Sequence, residues 1–232
     1  MKIEIIPIVG IGAVQPGDDV ATLVLSALDG VPVDDGNVLV VTHKIVSKAE
    51  GAVVEIEGDE ETFRRNLIEG EAVSIVRRRG DLIIAETKHG FICANAGVDR
   101  SNAEPGTMIL LPEDPDRSAH RIRVRLERRF GVDLPVIISD TFGRPWRSGL
   151  TDIAIGVSGL DAIVDLRGTR DWVGRELEVT EIAVADELAS AADLVMGKAA
   201  GIPAALIRGY DGPRGDGRGQ DLVRSPNDDL FR

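Results

Sequence analysis

One stretch constrains this chain more than any other: Val136-Ile-Ile-Ser-Asp140-Thr141-Phe-Gly-Arg144-Pro-Trp-Arg147. Its β-branched run reads as a short buried strand bounded by Pro135 and Gly143. A strand ending this way places Asp140 and Thr141 at the rim of a sheet, where the chain opens into a loop. Two oxygen donors there suit a hard cation such as Mg²⁺ or Mn²⁺. Arg144 and Arg147 follow, and a guanidinium can hold phosphate or carboxylate oxygens in a two-pronged fork. The stretch reads either as metal and anion chemistry at a strand end or as an exposed turn with an ordinary Asp–Arg pair.

The rest of the composition narrows the class. With 232 residues the chain can bury a substantial core as one large domain or two modest lobes. Its formal charge of −12 disfavours general binding to nucleic acid or anionic membrane, so an anionic ligand must be met by metal or by local basic clusters. Cys93 is the single cysteine, which excludes an internal disulfide and points to the cytoplasm. No apolar run approaches the roughly 20 residues of a membrane span. The acid-containing start, Met1 to Pro7, does not read as a signal peptide.

Along the chain, residues 2–9 read as a strand, and a helix capped by Asp18 or Asp19 runs to Leu28 with Gly30 ending it. Val38–Val41 is a strand buried on both faces. If the polar segment after it is helical, Lys44 and Lys48 share one face, as a phosphate grip or as a solvated surface. Residues 60–76 read as helix. Leu82–Ala85 and Phe91–Ala94 read as a hairpin turning at Lys88-His89-Gly90. This hairpin delivers the polar loop from Asn95 through Asp99 to Asn102, which also fits a common Asn/Asp/Ser turn. Ser118–Phe130 fits helix better than strand. Strands are expected over Ile153–Val157, Ala162–Val164 and Ala204–Ile207, and a helix from about Thr180 to Met196 capped by Gly197. Residues 1–210 then form the folded unit and 211–232 a flexible tail. Without strict βαβ alternation, the class is α+β, with mixed sheets and flanking helices.

Several common signatures are missing. There is no P-loop, because residue 192 is Ala, and no G-x-G-x-x-G after the first strand. His43, His89 and His120 lack zinc spacing, and no serine sits in G-x-S-x-G. Cys93 lies in an apolar context that suits core better than a nucleophile.

Six stretches together resemble one family: Pro16-Gly-Asp-Asp19, Ser47-Lys-Ala-Glu-Gly51, Ala94 to Asn102, Ser139-Asp-Thr-Phe-Gly-Arg144, Gly174 to Thr180, and Val195-Met-Gly-Lys198 followed by Gly201-Ile-Pro203. Their order and spacing are similar to those of the coenzyme F420-0:L-glutamate ligases, or γ-glutamyl ligases, over nearly the whole chain. The resemblance implies a GTP-dependent, homodimeric enzyme with its own α+β fold. It adds L-glutamate to a deazaflavin precursor and uses Mg²⁺ or Mn²⁺, one ion or two, helped by K⁺. Carried over by position, it assigns metal binding to Asp99, Asp140 and Thr141. Nucleotide contacts fall to Ile11, Gly12, Ala13, Val14, His43, Lys44, Lys48 and Asn102, and to the segment Met196, Gly197, Lys198, Ala199, Ala200, Gly201 and Ile202. Some archaeal members carry an acid that helps hold a second metal where this chain has Lys198.

The implied chemistry is phosphorylation of a carboxylate by GTP, then attack of the glutamate amine on the acyl phosphate, with Asp140 and Arg144 as candidate catalytic residues. The implied partners are these small molecules and a second copy of the chain, with neither nucleic acid nor membrane. Trp146 and Trp172 are the aromatic candidates for stacking on the deazaflavin. Two other readings stand beside this one: a ligase of the same family acting on another acceptor carboxylate, and a nucleotide- or metal-binding module without catalysis.

Overall fold

The computed structural model describes residues 2–230. In chain order the first part holds β1 (Glu4–Ile8), α1 (Val20–Ala27), β2 (Val38–Thr42), α2 (His43–Ala49), β3 (Val53–Glu55) and α3 (Glu60–Glu71). The middle holds β4 (Ala72–Arg79), β5 (Leu82–Thr87), β6 (Ile92–Ala94), β7 (Thr107–Ile109) and α4 (Pro115–Phe130). The last part holds β8 (Val136–Arg144), β9 (Arg147–Ser158), β10 (Val164–Asp165), β11 (Glu181–Ile182), α5 (Val184–Met196) and β12 (Ala204–Arg208). The class is α+β with several sheets, as expected.

The main sheet has the order β1-β12-β2-β8-β9. Only β2 and β8 pair in parallel; the other neighbours are antiparallel. Strand side chains alternate between faces, and here both faces are apolar. Leu39, Val41, Ile138 and Leu206 face one cluster, shared with Val24 of α1 and Ile122 and Leu126 of α4. Val38, Val40, Ile137 and Ile207 face the other, shared with Leu188, Ala189 and Ala192 of α5. The sheet is thus the middle of three layers, which explains why β2 reads as an unbroken apolar run.

A smaller lobe packs α3 on the sheet β4-β5-β6, around Ile68, Ile83, Ala85 and Met108. The β3–β7 ribbon contributes Met108 to it. Cys93 is buried, as its apolar context implies, and burial together with the charge of Asp140 pushes its thiol up to about 12.

Local signals set several boundaries. The Asp114 carboxylate accepts the Arg117 amide, Pro115 sits in the first turn of α4, and Gly131 ends that helix at φ 72°. The helix begins three residues before the expected Ser118. Gly156 of β9 lies against α4 so closely that a Cβ there would stand 2.5 Å from the Pro115 carbonyl.

Several expectations change; the strand expected over Ala162–Val164 is confined to Val164–Asp165. The helix expected over 60–76 ends at Glu71, and 72–79 pair with β5 from Ala72↔Thr87 to Arg79↔Leu82. The Val-Ser-Ile-Val run suits a pleated strand once that partner exists. Helix α5 starts at Val184 rather than Thr180, because Glu181 and Ile182 pair with β10. Asp140 and Thr141 do not open a loop: β8 runs on to Arg144, with Asp140 opposite Ile153 and Thr141 opposite Asp152. The reason is β9, which begins at Arg147, well before the expected Ile153.

Residues 211–222 run along the body. Gly217 donates to the Leu160 carbonyl (3.1 Å), Gly219 to the Asp116 carboxylate (2.7 Å), and Arg214 pairs with Asp133 (3.1 Å). No helix among the described residues is long and apolar enough to cross a membrane.

Candidate active site

Sheet topology gathers the polar segments. Strands β1, β2 and β8 run the same way and β12 runs opposite. The C-terminal ends of the first three and the N-terminal end of β12 therefore share one edge, the usual ligand edge of such sheets. The loop after β1, helix α2, the Asp140 segment and the loop Gly197–Pro203 all leave from it. The Thr42 amide donating to the Pro203 carbonyl (2.9 Å) closes two of them together.

Helix α2 begins directly at the end of β2, so His43 and Lys44 stand at its first turn. They reach two different acids. His43, buried, places Nε2 3.2 Å from Asp140 Oδ1, while its Nδ1 lies 3.2 Å from Ser47 Oγ. Lys44 Nζ lies 2.6 Å from Asp99 Oδ2. One turn on, Lys48 Nζ donates to the Asn102 carbonyl (2.6 Å). The shared face of Lys44 and Lys48 is thus turned to the 95–102 loop.

That loop is shaped for close approach. Asn95, Ala96 and Asn102 hold left-handed φ values of 56°, 51° and 60°, which cost energy in a non-glycine residue. Gly97 is at φ 75°, and a Cβ there would meet Leu111 Cγ at 2.5 Å. Asp99 accepts the Ser101 amide (2.7 Å) and hydroxyl (2.8 Å). Burial works against its charge, but Lys44 and the Ser101 donors outweigh that and hold it below the usual carboxylate value.

On β8, Asp140 Oδ1 accepts the Thr141 amide (2.7 Å). The Thr141 hydroxyl donates to Asp152 Oδ1 (2.6 Å) and contacts Lys198 Nζ. Lys198 also reaches Asp152 Oδ1 at 2.8 Å and Asp193 Oδ1 at 3.6 Å. Burial opposes the Lys198 charge, yet Asp152, Asp193 and Asp140 together raise its pKa above the ordinary lysine value. Asp152, 2% exposed, was missed from sequence. Its only signal there is a lone acid between Thr151 and an apolar strand run.

The remaining candidates divide. Gly12, Ala13 and Gly197–Gly201 are exposed at the shared edge, with Ile202 half-buried, whereas Ile11, Val14 and Met196 are buried in the two core clusters. Any contact from the latter to a ligand is through backbone. Arg144 sits at the β8–β9 turn and donates to the Ser148 carbonyl (3.0 Å). It lies four strand positions from Asp140, about 13 Å at the usual rise. Arg147 and Trp146 share that turn, and Trp172 is 97% exposed on the segment between β10 and β11.

The donor chemistry at Asp99, Asp140 and Thr141 fits a hard cation. Among the described residues no three His, Cys, Asp or Glu side chains form a ligating group. A Mg²⁺-like ion accepts that, since it takes one or two carboxylates and fills its other positions with phosphate and water.

A profile of the F420-0:Gamma-glutamyl ligase family matches residues 9–209. The chain is 45% identical to the coenzyme F420:L-glutamate ligase of Methanopyrus kandleri, with 100% of this chain and 98% of that protein covered. It is 46% identical to the protein of that name from Methanothermobacter thermautotrophicus, both covered in full. It is also 46% identical to the one from Methanocaldococcus jannaschii, over 87% of this chain and 86% of the relative. Similarity that spans the whole edge-forming region, from the loop after β1 to β12, places the chain in the F420-0:gamma-glutamyl ligase family.

Proposed function

We propose that this chain is a GTP- and divalent-metal-dependent ligase that adds L-glutamate to the deazaflavin precursor coenzyme F420-0, in coenzyme F420 biosynthesis. The observation that carries the reading is a chain of contacts along one sheet edge: Lys44 on Asp99, its neighbour His43 on Asp140, Lys48 on the Asn102 carbonyl, and Lys198 on Thr141 beside Asp140 in sequence. Acids to hold a cation and ammonium groups to hold phosphate oxygens are the two needs of phosphoryl transfer.

In this reading Asp99, Asp140 and Thr141 hold the Mg²⁺ or Mn²⁺. Such an ion, when bound, neutralises phosphate charge and orients the transferred group. The exposed backbone of Gly12–Ala13 and Gly197–Gly201 follows the nucleotide. Lys44 and Lys48 neutralise its phosphates, and Lys198 adds a third positive charge. The precursor's carboxylate oxygen attacks the γ-phosphorus, the bond to the β-phosphate oxygen breaks, and GDP leaves. The glutamate amine then attacks the acyl carbon of the acyl phosphate, loses a proton, and inorganic phosphate departs as the amide forms. Arg144 joins the substrate-facing set if the β8–β9 turn moves or a second copy of the chain brings it in. The dimer belongs to the same reading, supported by the exposed Trp146, Leu150 and Val179.

The test is mass spectrometry of precursor incubated with L-glutamate, GTP, Mn²⁺ and K⁺. The reading expects product heavier by one or more glutamyl units, absent when GTP or metal is omitted. Bound GTP with no GDP released in the complete mixture would support a non-catalytic module instead.

A further inference from the structure

The buried carboxylate of Asp152 has no part in the chemistry above, and its partners show what it is for. It faces Thr141 across the β8–β9 ribbon. Oδ2 accepts from Ser139 Oγ at 3.0 Å, and Oδ1 accepts from Thr141 Oγ1 at 2.6 Å and Lys198 Nζ at 2.8 Å. Ser190 Oγ donates to its backbone carbonyl at 2.7 Å. A carboxylate this deep is costly unless its oxygens are satisfied. Here three donors satisfy them, and two of these belong to the proposed site.

Each donation fixes something outside. A threonine hydroxyl has one proton and two lone pairs. With the proton committed to Asp152 and one lone pair accepting from Lys198, Thr141 has a single lone pair left to present, as a cation ligand must. The Lys198 ammonium has three protons. Asp152 and Thr141 orient it, while 54% of the side chain stays exposed to meet an anion.

We propose that Asp152 is a positioning residue of the phosphate site: one buried carboxylate turns the Thr141 hydroxyl into a lone-pair donor and holds the Lys198 ammonium beside it. This rests on the nucleotide and metal reading above. Asp152 touches neither ligand itself. It makes the cation site and the phosphate site depend on a single side chain.

The experiment uses the full chain, GDP with Mg²⁺ by calorimetry, and Mn²⁺ alone by electron paramagnetic resonance. Wild type must bind GDP; if it does not, the underlying nucleotide reading fails. Asp152→Asn keeps the shape but removes the charge and one acceptor. We expect its GDP affinity to fall at least tenfold with the melting temperature nearly unchanged. Lys198→Met should also weaken GDP binding, yet bind Mn²⁺ alone as tightly as wild type or more so, because a competing cation is gone. Asp152→Asn, which also releases the Thr141 hydroxyl, should weaken Mn²⁺ alone as well, so that the two variants differ in Mn²⁺ and agree in GDP, a pattern a purely structural role would not give. A folded Asp152→Asn protein with wild-type GDP affinity overturns the proposal. If that variant does not fold, Lys198→Met decides, and unchanged GDP binding there overturns it equally.

Discussion

Lys44 Nζ stands 2.6 Å from Asp99 Oδ2, so a carboxylate suited to a cation already carries an ammonium of the same chain. Burial favours protonation of Asp99, and the Lys44 and Ser101 donors reverse that preference. Lys44→Met is therefore expected to raise the Asp99 pKa, read by carboxyl NMR titration. The sign for stability follows. A depressed folded pKa contributes stability above the unfolded carboxylate value, lost as pH falls through the folded value. The variant should lose stability at neutral pH and differ little from wild type in strong acid. An unmoved Asp99 titration would sink the pairing.

Asp140 is the acid nearest both His43 and the Thr141 amide. Asp140→Asn keeps an acceptor for that amide and loses the charge. Glutamyl transfer should fall by a factor on the order of hundreds, the usual cost of removing one essential electrostatic contact. Full activity in folded Asp140→Asn protein would mean the cation is held elsewhere.

Gly156 tests the packing of α4 on the sheet. A Cβ there would lie 2.5 Å from the Pro115 carbonyl carbon and oxygen, which are backbone and cannot rotate aside. Gly156→Ala should destabilise by about 1–3 kcal/mol, lowering the melting temperature by roughly 2–4 °C per kcal/mol in a chain of this size. A wild-type melting curve would show that the contact is looser than described.

Asp186 tests a half-buried charge away from the site. Burial raises its pKa, only partly offset by the Ala154 amide that its Oδ1 accepts at 2.9 Å. A raised folded pKa in a carboxylate favours the fold below the unfolded value, and that advantage is lost as pH climbs through the folded value. Asp186→Asn keeps the acceptor and removes the charge, so its melting temperature at pH 7 should equal or exceed wild type, with the gain vanishing near pH 3. A marked fall at pH 7 would show that the charge itself stabilises α5.

Much of this fold was legible because the information was local. The strand at Val38–Val41, the helix through Val20 and Val24, and the helix through Ile122 and Leu126 follow from runs of residues whose own geometry decides them. The 72–79 strand was not legible, since helical and strand spacing overlap there and its pairing with β5 decides the outcome.

Which residue types lie on which short segment is already plain in the sequence: an acid and a hydroxyl at one strand end, two lysines four apart, small residues in two loops, and a family resemblance that runs through all of them. Which of these meet depends on how the strands pair and the layers pack. The direction of β12 relative to β1, β2 and β8 brings four segments to one edge, and register places Asp152 behind Thr141. Those pairings join residues as far apart as Glu4 and Arg208. The periodicity of one segment carries no trace of the face or register of another, because strand pairing and layer packing are settled only when the whole core closes.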